Sequence, residues 1–257
     1  MLKINKDSVF GTFTVIISFC LFWSILISAI VVWLEPFKAA AIANDRQVSI
    51  LRVAGIDAGK DVAKVYSENI TARLIDMQTG KYTDDAPEVA DGYNFASLAK
   101  KPASSIPVEK EVDIAGLRTI STKMPVYFVK KEGEDVSQII LPFYGQALWS
   151  TVYGYVALDT DLNHILGVTF YQHGETPGLG GEIDNPRWQN LWVGKKFFDD
   201  EKTYRFNITK TPDKEGDGKE YDIDSLSGAT LTARGVDNSI RYWISTAYKA
   251  FLENGEF

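Results

Sequence analysis

Residues 8–34 contain no charged side chain, an uninterrupted run of 27. At about 1.5 Å rise per residue, a helix of that length crosses a hydrocarbon core of roughly 30 Å with turns to spare. The densest part is 15–34, with Trp33 near one end, where an aromatic ring suits the membrane–water interface. A cleaved signal peptide is the competing reading, and Ala39-Ala40-Ala41-Ile42-Ala43 has the small residues of a cleavage site. The apolar stretch of a signal peptide is shorter, however, at about 7–15 residues. The run therefore predicts a retained, single-pass anchor. Lys3 and Lys6 precede it while Lys38, Arg46 and Arg52 follow, so positive charge does not choose an orientation. No ionisable acid, base or histidine interrupts the span, which argues against an ion path through it. Cys20 reads as a small apolar residue of this helix.

The charge is unevenly placed. Lys3, Lys6, Asp7 and Glu35 cancel within residues 1–35, so the whole net charge of −7 falls in residues 36–257. This divides the chain into a tail with a transmembrane helix, 1–35, and one large domain, 36–257. An acidic domain without a basic stripe does not suit nucleic-acid phosphates, so no nucleic-acid partner is expected. One cysteine and two histidines, His164 and His173, cannot build a disulfide framework, an iron–sulfur cluster or a zinc finger. No metal site is expected. Asp84-Asp85 and Asp199-Asp200 read as solvated loops. Both histidines sit in or beside turns without a positioned partner, so no residue of the chain is expected to be catalytic in the manner of a triad.

Residues 38–54 predict a helix stopped at Gly55, and 61–69 a second, short one. Residues 73–77 read as a strand, whereas 80–122 are mixed and carry no clear period. Four segments rich in Val, Ile, Tyr and Phe follow at 125–130, 138–143, 152–159 and 165–171, separated by turn residues such as Glu132-Gly133-Glu134-Asp135. They predict an antiparallel meander. A short helix at 186–194, a strand at 204–210 and a charged loop at 211–222 come next. Val236, Ile240, Trp243, Ile244, Ala247, Tyr248 and Phe251 then mark one apolar face of a C-terminal helix, with Gly255 as its stop. Strands grouped beside segregated helices indicate an α+β fold.

Two short motifs could carry chemistry. His173-Gly174-Glu175-Thr176-Pro177-Gly178-Leu179-Gly180-Gly181 follows a predicted strand, and its glycines can bring backbone N–H groups close to a ligand. It is neither a Walker loop nor a dinucleotide fingerprint, and it also reads as an ordinary wide turn. Asp224-Ser225-Leu226-Ser227-Gly228-Ala229-Thr230-Leu231-Thr232 stands before the C-terminal helix, whose N-terminus favours an anion such as phosphate. Capping of that helix by Ser227 or Thr232 explains the same hydroxyls without a ligand.

Ser227-Gly228-Ala229-Thr230 behind Asp224 resembles the flavinylation motif of bacterial flavoproteins that carry FMN on threonine. The Glu175-Thr176-Pro177-Gly178-Leu179-Gly180 loop resembles the second signature of that FMN-binding domain. Over nearly the whole chain the sequence is similar to the C-subunit family of the Na+-translocating NADH:quinone oxidoreductases. The supporting residues are Gln138, Ile140, Leu141 and Pro142; Gly145 with Leu148 through Thr151; Gly167 with Thr169 through Tyr171; Asp184 through Trp188; and Asp224 through Thr232.

The resemblance implies covalent FMN, held as a phosphoester on Thr230. Ser227, Gly228, Ala229 and Thr232 would surround the phosphate. Glu175, Thr176, Gly178, Leu179 and Gly180 would line the ring, with Leu179 and Leu226 near its face. Trp149 reads first as a core aromatic and only then as a ring contact. The resemblance further implies an electron relay within a membrane complex of six different chains in the bacterial inner membrane, the soluble domain on the periplasmic side. That complex carries electrons from NADH to ubiquinone and exports Na+. A flavin transferase using FAD and Mg2+ would attach the cofactor, and inner-membrane lipid would surround the anchor. The related G subunit of the Rnf ferredoxin:NAD+ oxidoreductase shares both motifs but is typically shorter. A membrane-anchored binding protein without covalent flavin is the reading of a different class.

Overall fold

The computed structural model describes residues 9–130 and 136–254, the side chain of Ala39 excepted. Lys3, Lys6, Asp7, Ser8, the predicted turn at 132–135 and the predicted stop at Gly255 lie outside the described residues. The chain divides into two units, Met1–Asn44 and Asp45–Phe257.

Helix α1 (Val9–Val53) is continuous, although the sequence predicts a span and a separate helix. Pro36 lies within it. Proline's fixed φ is compatible with a helix, so its main cost is one missing backbone donor and local crowding. In the first unit the large apolar side chains stand exposed, among them Phe13, Ile17, Phe22, Ile25 and Trp33. The helix is long and apolar enough to cross a membrane, with a mean hydropathy of 2.7 over its most apolar stretch and none of that stretch buried.

In the second unit the last turns of α1 bury Ile50, Leu51 and Val53, and Gly55 at φ +72° leaves the helix as expected. Helix α2 (Val62–Asn69) is capped by Asp61, whose carboxylate accepts from the Lys64 N–H at 3.2 Å. Strand β1 (Ile70–Asp76) begins earlier than predicted. The featureless region after it forms short helices α3 (Pro87–Asp91) and α4 (Phe95–Leu98) and a ribbon of β2 (Ser105–Pro107) with β3 (Thr119–Ser121).

Then come β4 (Lys123–Val129), β5 (Gln138–Gln146), β6 (Thr151–Leu158) and β7 (Ile165–Gln172). They form the expected meander, and β1 adds to its β4 edge, so the sheet runs β1-β4-β5-β6-β7 with every pairing antiparallel. Both faces are covered. Val126, Phe128, Ile139, Leu141, Phe143 and Val156 pack towards Val236, Ile240 and Trp243. The alternate residues Tyr127, Val129, Ile140, Tyr155 and Ala157 pack towards Ile50, Leu51 and Tyr66. A sheet buried on both faces needs apolar residues at every position, which is why these strands read as continuous apolar runs.

Three expected elements are corrected. Helix α5 covers only Pro186–Gln189, with turns carrying the chain on to Gly194. The strand expected at 204–210 shrinks to β8 (Asn207–Thr209), which pairs in parallel with β9 (Asp222–Asp224) away from the main sheet. The C-terminal helix is broken into α6 (Thr230–Tyr242), a π turn (Trp243–Ala247) and α7 (Lys249–Asn254). The Tyr248 N–H donates to the Trp243 carbonyl at 2.7 Å, an i to i−5 bond. This wide turn lets two large side chains reach one strand. The Trp243 indole donates to the Tyr144 carbonyl at 2.6 Å and the Tyr248 hydroxyl to the Pro142 carbonyl at 2.8 Å. An α-helix would set residues five apart on different faces.

Candidate functional site

Three segments far apart in sequence converge on one buried carboxylate. They are the turn between β5 and β6, the glycine-rich loop after β7, and the first turn of α6. Glu175 is 5% exposed. Its Oε1 accepts from the N–H of Trp149 at 2.8 Å and of Ser150 at 3.2 Å. Its Oε2 accepts from the Thr232 hydroxyl at 2.6 Å. Ser150 Oγ in turn accepts from the Gly174 N–H at 2.6 Å. His173 braces the loop from behind: Nδ1 accepts from the Glu175 N–H at 3.2 Å, and Nε2 lies 2.8 Å from Asp184 Oδ2. With Nδ1 as acceptor, Nε2 carries the proton and donates to the carboxylate.

Gly180 makes this arrangement sterically possible. A Cβ there would lie 2.5 Å from Thr232 Oγ1 and 2.9 Å from Glu175 Oε2. Gly228, at φ +74°, turns the chain into α6 with Leu179 beside it.

Helix α6 opens without a side-chain cap. Its first intrahelical bond runs from the Ala233 N–H to the Ala229 carbonyl at 3.0 Å, so the N–H groups of Thr230, Leu231 and Thr232 precede the helical ladder. The Thr230 side chain is half-buried and, among the described residues, its hydroxyl has no partner. The capping expected of Ser227 or Thr232 is absent. Ser227 is exposed, and the hydroxyl of Thr232 is given to Glu175. A free hydroxyl at a helix N-terminus suits an anionic group.

Ser227, Gly228, Thr176, Gly178 and Leu179 are exposed, and Thr230 stands partly so. Glu175, Gly180, Leu226, Ala229 and Thr232 are buried. Hence the Glu175 carboxylate and the Thr232 hydroxyl are turned inward to one another rather than outward, and Leu226 belongs to the core. Trp149 is the main correction: read first as a core aromatic, it is 69% exposed, with Leu148 exposed beside it. Leu231, next to Thr230, is exposed as well. The residues that the resemblance places along a flavin ring include neither Leu148 nor Leu231. The signal available for Leu231 is its place inside the second motif but off the apolar period of the last helix, and for Leu148 its place in a short turn between two apolar strands, outside both motifs. The histidines also differ from expectation, since His164 pairs with Asp161 and His173 with Asp184. Among the described residues no group of three or more metal-prone side chains assembles.

Residues 148–245 match the FMN-binding domain family. Over 254 residues the chain is 42% identical to the C subunit of the Na+-translocating NADH-quinone reductase of Neisseria meningitidis serogroup A, across 98% of this chain and 93% of that protein. It is 39% identical over 256 residues to the protein of the same name from Pseudomonas aeruginosa, across 97% of each. The crystal structure of NqrC from Shewanella oneidensis aligns with a TM-score of 0.77 and 33% identity, over 84% of this chain and 98% of that one.

Proposed function

The chain belongs to the C-subunit family of the Na+-translocating NADH-quinone reductases, and we propose that it serves there as an electron relay with FMN bound through a phosphoester to Thr230. The observation that carries this reading is the Thr230 hydroxyl, unpartnered among the described residues and set at the uncapped start of α6. The residues fit the group. A phosphate at Thr230 would meet N–H groups that have no carbonyl in the helical ladder. A flat apolar ring would find exposed Trp149, Leu148, Leu179 and Leu231 on the segments tied together by Glu175.

When bound, the isoalloxazine ring supplies the electron-transfer chemistry. The chain holds the phosphate and covers apolar ring surface. Attachment by a flavin transferase balances as follows. The Thr230 oxygen bonds to the FMN phosphorus of FAD, the pyrophosphate P–O bond breaks, AMP leaves, and the hydroxyl proton is lost. Helix α1 would anchor the protein as a single span among inner-membrane lipids, with the FMN domain in the periplasm and the other members of the complex as neighbours.

The test is direct. The chain made alongside the transferase should fluoresce under ultraviolet light after full denaturation, and its intact mass should rise by one FMN less one water. Thr230→Ala should abolish both signals and leave the domain folded. A variant still carrying flavin would refute Thr230 as the attachment point and move it to exposed Ser227 before buried Thr232. A wild-type chain that stays dark and unmodified would refute covalent flavin altogether. In the purified complex, Na+-stimulated NADH:quinone activity is expected.

A further inference from the structure

Glu175 has no ion-pair partner among the described residues, yet its carboxylate is buried. Burying such a group is costly unless donors surround it. Here three neutral donors do so, and they come from two different segments: the Trp149 and Ser150 amides and the Thr232 hydroxyl. Neither motif alone specifies this geometry. Thr232 lies two residues past Thr230 in the first turn of α6, and Trp149 is the aromatic of the β5–β6 turn and is exposed.

We propose that Glu175 is a positioning residue: without touching the flavin, it registers the Trp149 turn against the first turn of α6, so that attachment hydroxyl and apolar ring surface form one prebuilt site. This rests on the reading of Thr230 as the attachment point. It also explains Gly180, since any side chain there would separate the carboxylate from the Thr232 hydroxyl. Geometry, not charge, is what the role requires. Glutamine keeps the shape: its carbonyl can accept both amides while its NH2 donates to Thr232 Oγ1.

The test compares the full-length wild type with Glu175→Gln, Glu175→Ala and Thr232→Val. Hydrogen exchange at the Trp149 and Ser150 amides is measured without the transferase. The rate of flavin attachment, and flavin emission in the folded against the denatured chain, are measured with it. Glu175→Ala should speed exchange at both amides by about tenfold, the loss expected when their buried acceptor is removed. It should also slow attachment and alter the folded-state emission. Glu175→Gln should restore all three towards wild type, a rescue that a role for charge alone would not give. Should Glu175→Ala fail to fold, Thr232→Val keeps the core volume and cuts only the α6 arm. It should slow attachment while leaving exchange at Trp149 near wild type. The proposal is overturned if Thr232→Val and any folded Glu175→Ala protein attach flavin at the wild-type rate with unchanged emission, or if Gln is as impaired as Ala. A wild type that carries no flavin overturns the attachment reading and this inference together, whereas a modified wild type with indifferent variants overturns this inference alone.

Discussion

At the scale of single residues, the site is built by what is absent as much as by what is present. Gly180 is the clearest case. Gly180→Ala would drive a Cβ into the Thr232–Glu175 hydrogen bond, where the nearest oxygen is at 2.5 Å. Overpacking of this kind costs about 1–3 kcal/mol. We expect a lower Tm and slower flavin attachment, and a Tm equal to wild type would refute the steric argument. The two motifs are legible in the sequence because short polar and glycine-rich strings stand out between apolar strands. The roles within them are less so. Nothing in the linear order says that Thr232 turns inward while the hydroxyl of Thr230, two residues earlier, has no partner among the described residues. That division follows from a helix turning about 100° per residue beneath a loop from elsewhere in the chain.

At the scale of elements, α6 lies close against β5 because small residues line the contact. A Cβ on Gly235 would sit 2.6 Å from the Ala147 Cα and 2.7 Å from the Gln146 carbonyl oxygen. In an exposed helix, glycine to alanine stabilises by about 1 kcal/mol. Here the sign should reverse, and Gly235→Ala should lower the denaturation midpoint. A stabilised variant would show that α6 can move off the strand. The C-terminal apolar period does mark one buried face, but it does not announce a π turn. The cause is a competition that only packing settles, because Trp243 and Tyr248 both hydrogen-bond to carbonyls of β5. Similarly, the strand expected around Tyr204 shrinks to β8. It has no place on the main sheet, and the Ile208 N–H donates to the Asp237 carboxylate at 3.0 Å instead.

At the scale of the whole molecule, two behaviours follow from charge and apolar surface. Full-length protein should stay with membranes through an alkaline wash, and a chain lacking residues 1–35 should not. Release of the full-length chain would remove the anchor reading of α1. Stability should also depend on pH with a definite sign. N–H groups of Gly216, Gly218 and Glu215 hold the Asp213 carboxyl below its ordinary value, and Lys123 with Thr83 does the same for Asp85. Lys196 lowers Glu220. For these groups the folded state favours the ionised form, so their stabilisation is present above the ordinary carboxylate range and lost as pH falls through and below it, roughly from 5 towards 3. Asp237 acts oppositely. Burial raises its pKa, so the folded state loses stability as pH climbs from the ordinary value through the raised one. Denaturant midpoints measured across that range should fall with acid in the wild type. Asp237→Asn should steepen that fall by removing a component that favours low pH. A midpoint flat with pH would contradict both assignments.

The sequence by itself determined the long apolar N-terminal helix, the meander and the threonine at the head of the last long helix. Each is a local pattern: a run without charge, four β-branched and aromatic stretches between turns, and a polar string before an apolar period. The tertiary structure alone decided that the apolar N-terminal helix runs unbroken past Pro36, that β1 joins β4, that Trp149 faces outward, and that Glu175 ties loop, turn and helix together. These outcomes depend on which surfaces meet after the chain folds. Burial and donor–acceptor pairing between distant residues have no period that a single chain can display.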